Sequence, residues 1–174
     1  MLLSGIIIIF IRYNVSKKDI KSPEPPENTD ATFSLKNFHH IATQNGIKKW
    51  KLEASSASVY AKQDLASLKD ISVTFYMIDS NNQNITLTAD DGLLNTKTNN
   101  ISVNGNIIVK TEEYILKTEN LNYVHHSHII NVNEPFEIIG SSVMLKADSM
   151  TYDINAELIK CNGNVEGSFL ENIK

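Results

Sequence analysis

Between Trp50 and Val165 the apolar residues fall on every second position, and the pattern returns at a fixed longer interval. Ala54, Ala89, Thr118 and Ala147 serve as four equivalent origins. Two residues before each stands a leucine (Leu52, Leu87, Leu116, Leu145), and four before stand Trp50, Ile85, Tyr114 and Val143. Three residues after come Ala57, Gly92, Leu121 and Met150; five after come Val59, Leu94, Tyr123 and Tyr152. Apolar residues resume twelve after the origin with Ala66, Ile101, Ile130 and Ile159, then at fourteen with Leu68, Val103, Val132 and Cys161. Position sixteen holds Asp70, Gly105, Glu134 and Gly163, and Ile71, Ile107, Phe136 and Val165 open the next apolar stretch. The last three origins are 29 residues apart and the first gap is 35, the surplus falling in the polar tip Asp79–Asn84.

Alternation with period two marks strands that turn one face inward. The phase slips by one residue between each origin and the position three later, as a β-bulge would require: it bends a strand and restores its inward face. Polar triplets then mark turns at Lys62-Gln63-Asp64, Thr98-Asn99-Asn100, His125-His126-Ser127 and Asp153-Ile154-Asn155. Four bent hairpins in series predict an all-β fold, an open twisted β-jelly roll or β-taco, in which each unit covers its neighbour's apolar face.

The N-terminal end follows a different pattern. Leu2 to Ile11 is almost wholly apolar and is followed by Arg12. That is short of the roughly 20 residues that span a bilayer, and no small-residue cleavage site follows. Residues 1–15 read as the C-terminal part of an uncleaved membrane anchor, although Arg12, Lys17 and Lys18 would favour the cytoplasmic side. Residues 16–32, with Pro23, Pro25, Pro26 and interspersed charge, read as an extended linker. Residues 33–174 then form one β-domain.

Composition narrows the functions. A net charge of −4 with no basic stripe argues against a nucleic-acid partner. Cys161 is the sole cysteine, so neither an internal disulfide nor a cysteine-based zinc site is available. His125-His126-x-His128 has metal-ligand residue types but falls on a turn, and His39-His40 is weaker still. Asp90 and Asp91 are adjacent on a strand and point to opposite faces, which does not suit a general acid–base pair. No nucleophile elbow, phosphate loop or His-Glu-x-x-His is present in the sequence. The chain reads as a non-enzyme without a cofactor.

Several repeat segments together resemble one family. They are Trp50-x-Leu52-x-Ala54-x-x-Ala57, Leu87-x-Ala89-Asp90-x-Gly92, Gly105-Asn106-Ile107-x-Val109, Leu116-x-Thr118-x-x-Leu121-x-Tyr123, Glu134-Pro135-Phe136-x-Ile138 and Gly163-Asn164-Val165-x-Gly167. In this order and spacing, from about Phe38 to Gly167, the chain resembles the LptC family. The resemblance implies a single-pass inner-membrane protein with its β-domain in the periplasm. Such a protein receives lipopolysaccharide from an ABC transporter of the B2FG type and passes it to a periplasmic A-type partner.

On that implication, the inward positions Leu52, Val59, Phe75, Leu87, Val103, Leu116, Tyr123, Phe136, Leu145 and Tyr152 are candidate lipid contacts. Phe38, Trp50, Ile159, Gly163 and Val165 are candidate partner-binding edge residues, with the transporter at the Phe38–Leu52 end and the A-type partner near Leu158–Val165. Two alternatives stay open: a soluble A-type homologue, and a structural or carbohydrate-binding envelope β-protein.

Overall fold

The computed structural model describes residues 31–76 and 84–170. The expected anchor, most of the expected linker and most of the Asp79–Asn84 tip lie outside the described residues. Six long strands come first: β1 (Phe33–Gln44), β2 (Ile47–Tyr60), β3 (Leu65–Tyr76), β4 (Asn84–Asn95), β5 (Ile101–Lys110) and β6 (Tyr114–Val124). Six short ones follow: β7 (Ile129–Val132), β8 (Phe136–Gly140), β9 (Val143–Ala147), β10 (Ser149–Asp153), β11 (Leu158–Asn162) and β12 (Glu166–Phe169). Among the described residues the helical content is one 3-10 turn, Ala61–Gln63, and no helix is long and apolar enough to cross a membrane.

Every pairing among the described residues is antiparallel, and eight of the eleven join strands consecutive in sequence, the exceptions being β6–β8, β7–β10 and β9–β12. β1 to β6 form a continuous meander, and then the sheet forks. The C-terminal half of β6 pairs with β7, which continues to β10 and β11; its N-terminal half pairs with β8, which continues to β9 and β12. The fork lies at Asn133-Glu134-Pro135, where the chain leaves the sheet. Proline has no N–H for a ladder bond, so a strand cannot run through this point unbroken.

Two leaves result. One contains Phe38–Ala54, Ile71–Tyr76, Asn84–Ala89, Ile107–Lys110, Tyr114–Thr118, β8, β9 and β12. The other contains Phe33–Lys36, Ser56–Tyr60, Leu65–Lys69, Asp91–Asn95, Ile101–Asn104, Asn120–Val124, β7, β10 and β11. Side chains of both leaves meet in the same clusters. Ile71, Ala89 and Ile107 of the first leaf pack with Val103 and Leu121 of the second, and Val132 and Met150 pack with Phe136 and Ala147.

The bend between the leaves has a backbone signature. Left-handed φ values occur at Asn37 (51°), Asp70 (48°), Gly105 (78°), Asn106 (47°), Gly163 (69°) and Asn164 (39°). This is conformational space that only Gly, Asn and Asp visit readily. The extra residue sits in β5, where Asn104 and Ile107 face Asn120 and Thr118 of β6, whereas β2 and β4 pair with β3 without a register shift at their phase slip. The bulge therefore lies on the strand opposite the slip and not at it. Each of the four polar turns has a left-handed residue within it or just after it: Asp64, Asn99, His128 and Glu157. Two of them are closed by a side chain. The Asn95 carbonyl oxygen (Oδ1) accepts from the Lys97 and Thr98 amides, and Asp153 Oδ1 accepts from those of Asn155 and Ala156.

Candidate functional site

The repeat positions become ladders that run across the strands. In the first leaf, His40, Leu52, Val73, Leu87, Val109, Leu116, Ile138 and Leu145 form one transverse row. In the second leaf, Val59, Ala66, Leu94, Ile101, Tyr123, Ile130, Tyr152 and Ile159 form another. Because side chains alternate faces along a strand, each row lies on one side of its leaf, and the two rows face one another across the interior.

Burial changes with distance from the bend. The rows beside it are sealed: Ala54, Ala57, Ile71, Ala89, Val103, Ile107, Val132, Phe136, Ala147 and Met150 are buried, with Ile107 at 1% exposure and Val132 at 0%. Farther out most inward residues are half-buried, with Ala42, Trp50, Ala66 and Tyr123 as buried exceptions, and at the C-terminal end the leaves stand apart. There a cavity of about 270 Å³ is lined by Val109, Thr111, Tyr114, Leu116 and Ile138 of the first leaf and Ile159 of the second. Its walls are apolar apart from Thr111 and the Tyr114 hydroxyl. The arrangement is a trough: a closed spine along the bend and an apolar opening at the margin.

The candidate contact residues divide along this gradient. Leu52, Val59, Phe75, Leu87, Leu116, Leu145 and Tyr152 are inward and half-buried, and Leu116 lines the cavity. Val103, Tyr123 and Phe136 are instead buried at 5%, 4% and 4%. Val103 and Phe136 belong to the packed clusters at the spine, so they are core and not trough surface.

The edge candidates also separate. Phe38 lies on β1, Ile159 on β11, and Gly163 and Val165 on the exposed link between β11 and β12. Trp50 is not at an edge. It is one strand in, on β2 between Ala42 and Phe75, and 3% exposed. Strands β1, β11 and β12 each have a single partner strand, so each leaves a row of backbone groups unpaired on its far side.

A set of polar residues at the bend escaped the hydrophobic pattern. Asn106 Nδ2 donates to Asp90 Oδ2 at 2.7 Å, and Asn164 Nδ2 donates to Asp148 Oδ2 at 2.9 Å. The Ser55 hydroxyl donates to Asp70 Oδ2 at 2.6 Å, and the Asn106 amide donates to Glu119 Oε2 at 2.9 Å. Ser55, Asp90, Glu119 and Asp148 are the residues immediately after the four origins. Each therefore clasps a left-handed residue of a neighbouring segment: Asp70, Asn106 (held by both Asp90 and Glu119) and Asn164. Gly105 and Gly163 sit directly against the Asp90 and Asp148 carboxylates, where a Cβ would collide. Asp90 is thus a structural clasp. The sequence signal was the spacing of Asp90 and Asp148 against Asn106 and Asn164.

The histidine triplet sits at the tip of the second leaf. The His125 and His128 rings are 5.6 Å apart, and His125 Nδ1 is 3.3 Å from the Tyr123 hydroxyl. Burial pushes the His125 pKa down, and His128 and His126 add to the effect; burial alone pushes Tyr123 and Cys161 up. Among the described residues no group of three or more His, Cys, Asp or Glu side chains could hold a metal ion. On the outer face, Lys146 pairs with Glu137 at 2.9 Å and Lys51 with Glu53 at 2.7 Å, both at the surface.

This forked, open-sided β trough defines a fold class with a solved counterpart. It is similar to the crystal structure of LptH from Pseudomonas aeruginosa, described as the LptA-homologous periplasmic component of the conserved lipopolysaccharide transport device. The TM-score is 0.55 at 13% identity, covering 70% of this chain and 95% of LptH, a likeness of fold. The family is shown by the sequence itself. Residues 1–170 match the model of the lipopolysaccharide-assembly, LptC-related family, and the chain belongs to that family. No curated protein matches the sequence significantly.

Proposed function

We propose that this protein is a non-enzymatic lipopolysaccharide carrier of the inner membrane. Its β-domain stands in the periplasm as a bridge between an ABC transporter of the B2FG type and an A-type periplasmic protein. The observation that carries the reading is the apolar cavity between Leu116 and Ile138 on one leaf and Ile159 on the other. It opens where the inward rows are no longer sealed. Acyl chains entering it leave water at roughly 0.8 kcal/mol per CH₂, while sugars and phosphates stay outside the trough. Family membership and the LptH-like fold support the same role.

Transfer requires the trough to continue into the next molecule. The unpaired outer sides of β1 at one end, and of β11 and β12 at the other, suit edge-to-edge strand addition. In this reading the transporter meets the β1 end and the A-type protein meets the β11–β12 end. Residues 1–15 supply the anchor and 16–32 the spacer.

Photo-crosslinking amino acids placed one at a time at Phe75, Leu116 and Tyr152, and at the alternate-face positions Ile108 and Ile115, test the trough in cells. Lipopolysaccharide adducts are expected at the first three and not at the last two. Adducts confined to Ile108 and Ile115 would overturn the assignment. The likeness to LptH also favours a second reading, a soluble A-type component. Membrane fractionation with N-terminal sequencing of the mature protein separates the two, since an A-type component would lose its first residues and leave the membrane.

A further inference from the structure

One pair of side chains on the inner face does not fit an apolar wall. His40 and Trp50 occupy adjacent rows of the first leaf at its β1–β2 end, their rings 4.9 Å apart and tilted by 34°. The side-chain nitrogens His40 Nε2 and Trp50 Nε1 are both buried, and neither has a hydrogen-bond partner in the protein. Trp50 as a whole is 3% exposed. Elsewhere on the inner rows the buried polar groups are matched: the Thr118 hydroxyl donates to the Pro135 carbonyl at 3.3 Å, and the Tyr123 hydroxyl lies 3.3 Å from His125 Nδ1. Buried polar groups are normally satisfied, and an exception calls for an explanation in function.

We infer that His40 and Trp50 form a polar subsite in the trough, which takes a hydroxyl or carbonyl oxygen carried on or beside the ligand's acyl chain. The chemistry of the pair selects this class. The indole N–H can only donate, so the ligand atom must accept. His40 Nε2 donates or accepts according to its tautomer, so a hydroxyl satisfies both nitrogens in either form and a carbonyl does so when Nε2 carries the proton. An oxyanion suits the site less well, because no Lys or Arg shares these inner rows and a buried charge needs a partner. Fixing one oxygen at the β1–β2 end would set how far the chains reach along the trough, giving the apolar groove a register. The inference rests on the lipid-trough reading and deepens it.

Trp50 is the sole tryptophan, so its fluorescence reports directly on this subsite. Purified full chain in detergent is titrated with lipopolysaccharide as wild type, Trp50→Phe and His40→Phe, with affinity read by crosslinking yield and folding by denaturation midpoint. Wild type is expected to bind with a red shift in Trp50 emission. Each variant is expected to bind about five- to tenfold more weakly, the loss of one hydrogen bond, while its midpoint stays level or rises. Unchanged affinity in both variants would overturn the subsite and leave the trough standing. So would a loss of affinity that merely follows a loss of folding, or lipopolysaccharide binding without a change in Trp50 emission. Wild-type protein that binds no lipopolysaccharide would overturn the trough reading and the subsite with it.

Discussion

The spine and the margin of the trough are built from the same repeat, yet they differ in what surrounds each side chain. At the spine, Ile107 is enclosed by Ile71, Ala89 and Val103, and the two leaves touch. At the margin, Ile159 is another inward isoleucine of the repeat, equivalent to Ile101, and is 47% exposed, facing Leu116 and Ile138 across open space. Small residues at the spine (Ala54, Ala57, Ala89, Gly92, Ala147) let the leaves approach there. Leucines and tyrosines two residues farther out hold them apart. A repeat with a taper in side-chain size thus produces stability at one side and a ligand surface at the other.

The largest expected effect tests that division directly. Ile107→Ala should cost about 3 kcal/mol of folding stability, because a 1%-exposed side chain leaves a cavity that its packed neighbours cannot fill. Ile159→Ala, the same chemical change at the margin, should cost under ~1 kcal/mol. Urea denaturation of both variants decides the matter. Equal losses would mean that the margin is packed like the spine, and the trough would then be an ordinary sandwich core.

A smaller loss is expected at the bend. Gly105 has φ of 78° and lies against the Asp90 carboxylate. Gly105→Ala should destabilise by about 1–2 kcal/mol, since an L-residue is strained in the left-handed region and its methyl group would displace Asp90. Asp90→Ala alone, which removes the clasp on Asn106 and leaves the glycine free, should cost less, about 1 kcal/mol. If Asp90→Ala proved the worse of the two, the bend would depend on the clasp more than on backbone conformation.

These cases also show how far the sequence could be read. The strands, their turns and the inward rows followed from period-two alternation, because burial on one face imposes that period whatever the tertiary detail. The one-residue slip pointed to a bulge at the bend but on the wrong strand, since the extra residue sits in β5, opposite the slips in β4 and β6. Strand β1 stands before the repeat, and its pairing depends on the Asn45-Gly46 turn (φ 53° and 76°) that returns the chain into β2. Which inward residues face open space was not legible. Val103 and Leu116 occupy equally apolar positions, and only the spacing of the leaves buries one and leaves the other beside the cavity. Trp50 was misplaced at an edge for a related reason: with β1 outside the repeat, β2 looked like the first strand. The clasp residues were visible as letters, but a hydrophobic pattern assigns no role to polar positions.

The smallest effect concerns the margin at the second leaf's tip, where polar side chains replace packing. Burial, with His128 and His126 nearby, holds the His125 pKa below its ordinary value near 6.5. The folded state therefore takes up this proton less readily than the unfolded chain. Above the ordinary histidine range both states are neutral at His125, and its full contribution to stability is present. As pH falls through the ordinary value toward the lowered folded one, the unfolded chain gains protons first and that contribution is lost. His125→Asn removes the titrating group and should make the decline in stability between about pH 7 and 5 shallower. Thermal melts across that range for wild type and this variant measure the difference. The spine contains no titratable side chain among its buried residues, so Ile107→Ala should lower the whole curve without changing its slope. A steeper acid limb in Ile107→Ala would show that the tip and the spine unfold as one unit, and the separation between stable bend and adaptable margin would fail.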